Sequence, residues 1–232
     1  ASDVYKRQIF DNACVTNSIC APSRATILTG KHNHINGKID NRSPFDTTQI
    51  TFPQLFKKAG YQTAMYGKLH FGNNPKGVDD FMILPGQGHY VNPDFITPRG
   101  DTTIIGYVTD IITDLTLEWL KKKRDKEKPF FMYVPFLAPH TPLEAPDNLI
   151  EKYKTLEDTR KPTRNIAADR TREASKTRAP SARPLYAAVV DALDQAIGEI
   201  LLTIEEAGIE EETIILFSSD NGGATYGGGG AD

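Results

Sequence analysis

The chain is poor in cysteine, in long apolar runs and in net charge, and each shortage closes off a class. Its two cysteines, Cys14 and Cys20, are too few for a disulfide framework or a four-cysteine zinc site. No stretch approaches the roughly 18 uninterrupted apolar residues of a membrane-spanning helix. Neither charge sign dominates: 27 Lys+Arg face 30 Asp+Glu, for a formal charge of −3, so a broadly cationic nucleic-acid binder is excluded. The opening residues ASDVYKRQ lack the apolar core of a signal peptide. They resemble a translated adapter, and residues 1–8 are expected to stand outside the fold. No internal repeat is visible.

What remains is a 232-residue chain, 39% hydrophobic and 25% charged, which is enough to bury a core. Ser23 to Thr29 reads as a short helix after the Cys20-Ala-Pro-Ser turn, stopped by Gly30. Thr51 to Gly60 reads as a second helix, with a Thr cap, an early Pro and a terminal Gly. Tyr61 to Tyr66 reads as a strand, and residues 72–101, rich in Gly, Pro and Asn, as loops. Ile104 to about Arg124 and Leu185 to Ala207 keep the helical period of apolar residues. PFFMYVPFL (Pro129 to Leu137) and TIILFS (Thr213 to Ser218) read as buried strands. Two helix–strand units of this kind predict an α/β fold, with a mostly parallel central sheet flanked by helices. Residues 154–183 read as a polar insertion, the sharper alternative being a basic lip that steers an anionic substrate.

In parallel sheets, ligands sit beyond the carboxyl ends of strands, where His140 and Asp220 fall. Cys20-Ala-Pro-Ser-Arg24 places a thiol at the start of a helix, whose free N–H groups favour negative charge. Arg24, one turn on, has the fork to hold an anion. On these grounds Cys20 is one of three things: a core thiol, an activated thiolate or a modified residue. Cys14 reads as a core thiol. His32, His34 and His89 read as non-catalytic, and Asp79-Asp80 as structural.

CAPSRATILTGKH resembles the signature of the type I sulfatases, within the alkaline-phosphatase-like superfamily. Four further stretches resemble family landmarks in family order: Gly67-Lys-Leu-His70-Phe-Gly, Gly77-Val-Asp-Asp-Phe81, Ala138-Pro-His-Thr-Pro142 and Ser219-Asp-Asn-Gly-Gly223. The resemblance covers residues 9 to 223 and implies hydrolysis of sulfate esters, with sulfated carbohydrate or aryl sulfate as substrate. It implies that Cys20 is oxidised to formylglycine by a formylglycine-generating or anaerobic sulfatase-maturating enzyme. Residue 20 is then nucleophile and metal ligand. Arg24 holds its oxygens, Lys68 binds sulfate, and His70 takes a proton from its second hydroxyl. His140 protonates the leaving alcohol, and Asp220 and Asn221 hold a divalent cation, calcium. The alternatives are a phosphonate monoester or phosphodiester hydrolase of the same superfamily, or a non-catalytic homologue. The family opens with a strand bearing paired aspartates and closes with a second lysine and a small subdomain. Neither is recognisable here, so residues 9–232 are expected to be a partial catalytic domain, inactive by itself. A periplasmic or secreted location is implied by the resemblance alone.

Overall fold

The structure is a computed structural model, and it describes residues 8–155 and 182–222. Residues 1–7 and most of the polar stretch 154–183 lie outside the described residues, so the expectations for them are not addressed by it. The first helix, α1 (Cys20–Thr29), is followed by a single turn, α2 (Asn33–Asn36), and by α3 (Phe52–Lys58). The strands β1 (Gln62–Lys68), β2 (Asp80–Leu84), β3 (Asp94–Thr97) and β4 (Gly100–Thr103) come next. Then follow α4 (Val108–Glu118), continued by a wider π-type turn over Trp119–Lys123, and β5 (Phe130–Tyr133). The last helices are α5 (Asp147–Tyr153) and α6 (Ala182–Glu206).

The five strands form one mixed sheet in the order β4-β3-β2-β1-β5. β1 pairs in parallel with both β2 and β5. β3 and β4 join antiparallel. The parallel centre and flanking helices agree with the α/β expectation. The reading of 72–101 as loops is corrected, because it contains β2, β3 and the start of β4. These strands are only four or five residues long and sit between Gly and Pro. Their pattern is too short to rise above the turn signals around it.

Alternation along β1 sorts its side chains onto two faces. Ala64 and Tyr66 face a cluster with Ile112 of α4 and Val189 and Ile204 of α6. Met65 and the following Leu69 face the opposite cluster, with Ala21, Ala25 and Leu28 of α1. The larger of these side chains, such as Met65, Leu69, Leu28 and Ile112, each contribute on the order of 1.5–3 kcal/mol when fully buried, the alanines less. This is what packs α1 against the sheet and fixes where its first residue, Cys20, projects. The capping of α3 also follows the sequence: Gln54 Oε1 accepts from the Thr51 backbone N–H at 3.0 Å.

Gly67 is required by geometry. Its φ is +129°, and an added Cβ would run into the carbonyl of Pro135. That close approach carries the Lys68 N–H to the Pro135 oxygen at 2.7 Å, extending the β1–β5 contact past the formal ladder.

Two strand expectations change. PFFMYVPFL pairs only over Phe130–Tyr133, and those residues are half-buried rather than buried. Among the described residues β5 is the edge of the sheet, with one flank lacking a neighbour. TIILFS forms no strand. Ile214 is 89% exposed, Leu216 85% and Phe217 79%. A strand needs a partner for its backbone groups, and among the described residues nothing pairs with this segment. Cys14 is also corrected: it is exposed, not a core thiol. Asp79 is structural as expected, its Oδ2 accepting from the Thr63 N–H at 3.1 Å and hydroxyl at 3.0 Å.

Candidate active site

Cys20 opens α1 and is buried, and the helix starts on it rather than at Ser23. No side chain of the preceding Ile19 caps the helix. Asn41 instead accepts from the Ala21 N–H at 3.0 Å, fixing the first turn from a neighbouring loop. Three groups converge on the sulfur: Asn221 Nδ2 at 3.5 Å, Lys68 Nζ at 3.7 Å and His140 Nε2 at 4.0 Å. Lys68 is the last residue of β1, at the carboxyl end of a parallel strand. His140 follows β5, and its carbonyl accepts from the Tyr90 hydroxyl at 2.8 Å.

Burial pushes the Cys20 thiol up. Hydrogen bonding from His140 and His70, the charge of Lys68 and the Asn221 amide outweigh it and bring the thiol down to about 5. Burial holds Lys68 down to about 8, with the charge of Cys20 opposing the fall. The sign of the first effect gives a test. In a Cys14→Ser protein with Cys20 unmodified, ultraviolet thiolate absorbance is expected to rise through about pH 5. A rise near the ordinary thiol value of about 8.5 would overturn this reading.

Behind the sulfur lies an ion pair. Arg24 Nε and Nη2 reach the same Asp220 oxygen at 2.9 and 2.8 Å. Arg24 Nη1 donates to the Lys68 carbonyl, and the Ser23 hydroxyl donates to the Asp220 carbonyl. Arg24 is therefore tied to Asp220 and Lys68. His70 sits in the left-handed region, φ 64°, which is uncommon for a non-glycine residue, and its Nδ1 is buried without a partner.

Asn221 Oδ1 is likewise buried without a partner. With the second oxygen of Asp220, it offers the donor type that hard cations take. The donors fit such an ion in kind. Among the described residues no group of three His, Cys, Asp or Glu side chains converges to complete its shell.

All seven residues singled out from the sequence thus fall in one region: Cys20, Lys68, His70, His140 and Asn221 at the sulfur, Arg24 and Asp220 beside them. Ser23, Asn41, Gln87 and Tyr90 were not singled out as site residues. Gln87 Oε1 accepts directly from Lys68 Nζ. The available signal for Gln87 and Tyr90 was that Leu84-Pro-Gly-Gln-Gly88, with Tyr90, resembles a stretch in some N-acetylglucosamine-6-sulfatase-like proteins.

The sulfatase family model matches residues 3–232. The chain belongs to the sulfatase family. An N-acetylglucosamine-6-O-sulfatase of Bacteroides thetaiotaomicron is 49% identical over 134 residues, 56% of this chain and 24% of that protein. Mouse arylsulfatase J is 30% identical over 245 residues, 91% of this chain and 36% of its own length. This sulfatase chain thus spans about a quarter to a third of those two relatives. A solved structure in complex with its substrate, D-glucosamine-2-N,6-O-disulfate, is 33% identical. It superposes with a TM-score of 0.67, covering 87% of this chain and 55% of that one. A phosphonate monoester hydrolase of Agrobacterium radiobacter shares the fold at 19% identity and a TM-score of 0.64, over 94% of this chain and 56% of its own.

Proposed function

We propose that the intact enzyme hydrolyses sulfate esters of carbohydrate, a 6-sulfated N-acetylglucosamine being the substrate favoured by the 49% identical relative. The observation that carries it is the ring of Lys68, His140 and Asn221 around Cys20 Sγ. A thiol does not expel sulfate catalytically. Membership of the sulfatase family implies that residue 20 is oxidised to formylglycine by a formylglycine-generating or anaerobic sulfatase-maturating enzyme. The hydrated aldehyde supplies two hydroxyls on one carbon, one to attack sulfur and one whose deprotonation releases the product.

The chain's own residues do the rest. Lys68 Nζ neutralises the sulfate oxygens beside the nucleophile. His140, half-buried and with its carbonyl held by Tyr90, donates a proton to the departing sugar oxygen. His70 accepts the proton of the second hydroxyl. Arg24 holds Asp220 in place through two hydrogen bonds. Asp220 and Asn221 would hold a calcium ion, which supplies positive charge to the reacting oxygens.

The test is turnover of three compounds by the matured, intact enzyme. N-acetylglucosamine-6-sulfate and an aryl sulfate are expected to be cleaved, the sugar with the higher kcat/KM. An aryl phosphonate ester is expected to be cleaved at least ~100-fold more slowly. A preference for the phosphonate would overturn the assignment.

A further inference from the structure

Gln87 stands at the outer end of the line that runs from Cys20 Sγ through Lys68 Nζ. It belongs to the turn after β2, closed by the Gly88 N–H donating to the Pro85 carbonyl at 3.0 Å. Gly88 has φ +78°, and a Cβ there would meet the Leu84 side chain at 2.8 Å. The turn is therefore held tightly against the buried end of β2. Lys68 is 1% exposed while Gln87 lies on the surface. The amide thus spans the step from the buried cation to solvent.

One end of that amide is committed. Its Oε1 accepts from the ammonium, which leaves the Nε2 group, two donors, turned away from the cation. Among the described residues nothing accepts from Nε2. A sulfate ester seated on the buried Lys68 would extend its alcohol side toward solvent, and Gln87 is the exposed end of the Lys68 contact.

We propose that Gln87 is a specificity-determining residue, whose amide N–H groups donate to a hydroxyl or carbonyl oxygen of the sugar that carries the sulfate. The proposal deepens the sulfatase reading and rests on it for the identity of the anion. An amide fixed by a buried cation is pre-organised. It reads an oxygen-rich alcohol and gains nothing from an aromatic one.

The test separates binding from chemistry. In the intact protein with Cys20 left as the thiol, affinity for N-acetylglucosamine-6-sulfate and for inorganic sulfate is measured by calorimetry. Gln87→Leu removes both ends of the amide. Gln87→Glu keeps an oxygen for Lys68 and removes the donors. Both variants are expected to lower the ratio of sugar-sulfate to sulfate affinity ~10-fold, the scale of one lost hydrogen bond. An unchanged ratio in both, whether the two affinities fall together or hold, would overturn the proposal. It would leave Gln87 as a partner of Lys68 alone. A failure of the sulfatase reading appears elsewhere, as a matured wild-type enzyme that binds the sugar sulfate and does not cleave it.

Discussion

Cys20→Ala is expected to lower kcat for a sulfated sugar by ~10⁴-fold or more, measured on the intact, matured enzyme. Alanine leaves the pocket's cations in place, so binding survives while the reacting atom is gone. The size of the loss follows from what the surroundings do. Lys68, His140 and Asn221 are aimed at one atom, and without it they have nothing to activate. Cys20→Ser sharpens the expectation. A serine hydroxyl can attack sulfur and take up the sulfuryl group, but it has no second hydroxyl to expel it. The serine variant is therefore expected to release about one equivalent of alcohol and stop, with a mass gain of one SO₃ group. Sustained turnover by the serine variant would contradict a geminal-diol mechanism. A core role for this thiol predicts loss of folding instead, so circular dichroism of both variants accompanies the assay.

Arg24→Ala is expected to cost about 3 kcal/mol of folding stability, read from urea unfolding of the intact protein. The guanidinium is 5% exposed and its partner carboxylate 25%, so the pair is largely out of water. Removing the cation leaves the Asp220 carboxylate and the Lys68 carbonyl each short of a donor. Partial exposure of Asp220 allows some rehydration, which keeps the figure at the low end for broken buried pairs. Arg24→Ala combined with Asp220→Ala is expected to destabilise less than the sum of the two single changes. Strict additivity would show that the two side chains do not support each other. Arg24→Ala is also expected to lower kcat/KM, because Asp220 and Asn221 adjoin and only the first is anchored by an ion pair.

Some of this was legible in the residues. α1, α3, α4 and α6 announce themselves through caps, glycine stops or apolar periods that are local in the chain. β1 was readable because Gln62–Lys68 is buried on both faces and carries apolar residues on both. The cluster at Cys20 was readable because its members lie in short motifs spaced along the sequence.

Other features were not legible, for a physical reason. TIILFS has the composition of a buried strand, but composition records a side chain's preference and not the presence of a neighbour. Ladder hydrogen bonds come from another strand, and among the described residues none pairs with Thr213–Ser218. The hairpin of β3 and β4 was hidden by brevity. The contact of Gln87 with Lys68 was hidden because it joins a turn to a lysine 19 positions away, which no periodicity encodes.

The ring around Cys20 closes across chain separations of 48, 120 and 201 residues. Such closures are entropically costly and are repaid only once the chain as far as Asn221 is in hand. On a translating ribosome, Lys68 emerges 48 residues after Cys20 and Asn221 emerges 201 residues after it. For the interval between, the sulfur at position 20 is open to solvent and to any enzyme that reaches it; afterwards it is 7% accessible. Its period of chemical availability is therefore set by the time needed to synthesise the chain from Cys20 as far as Asn221.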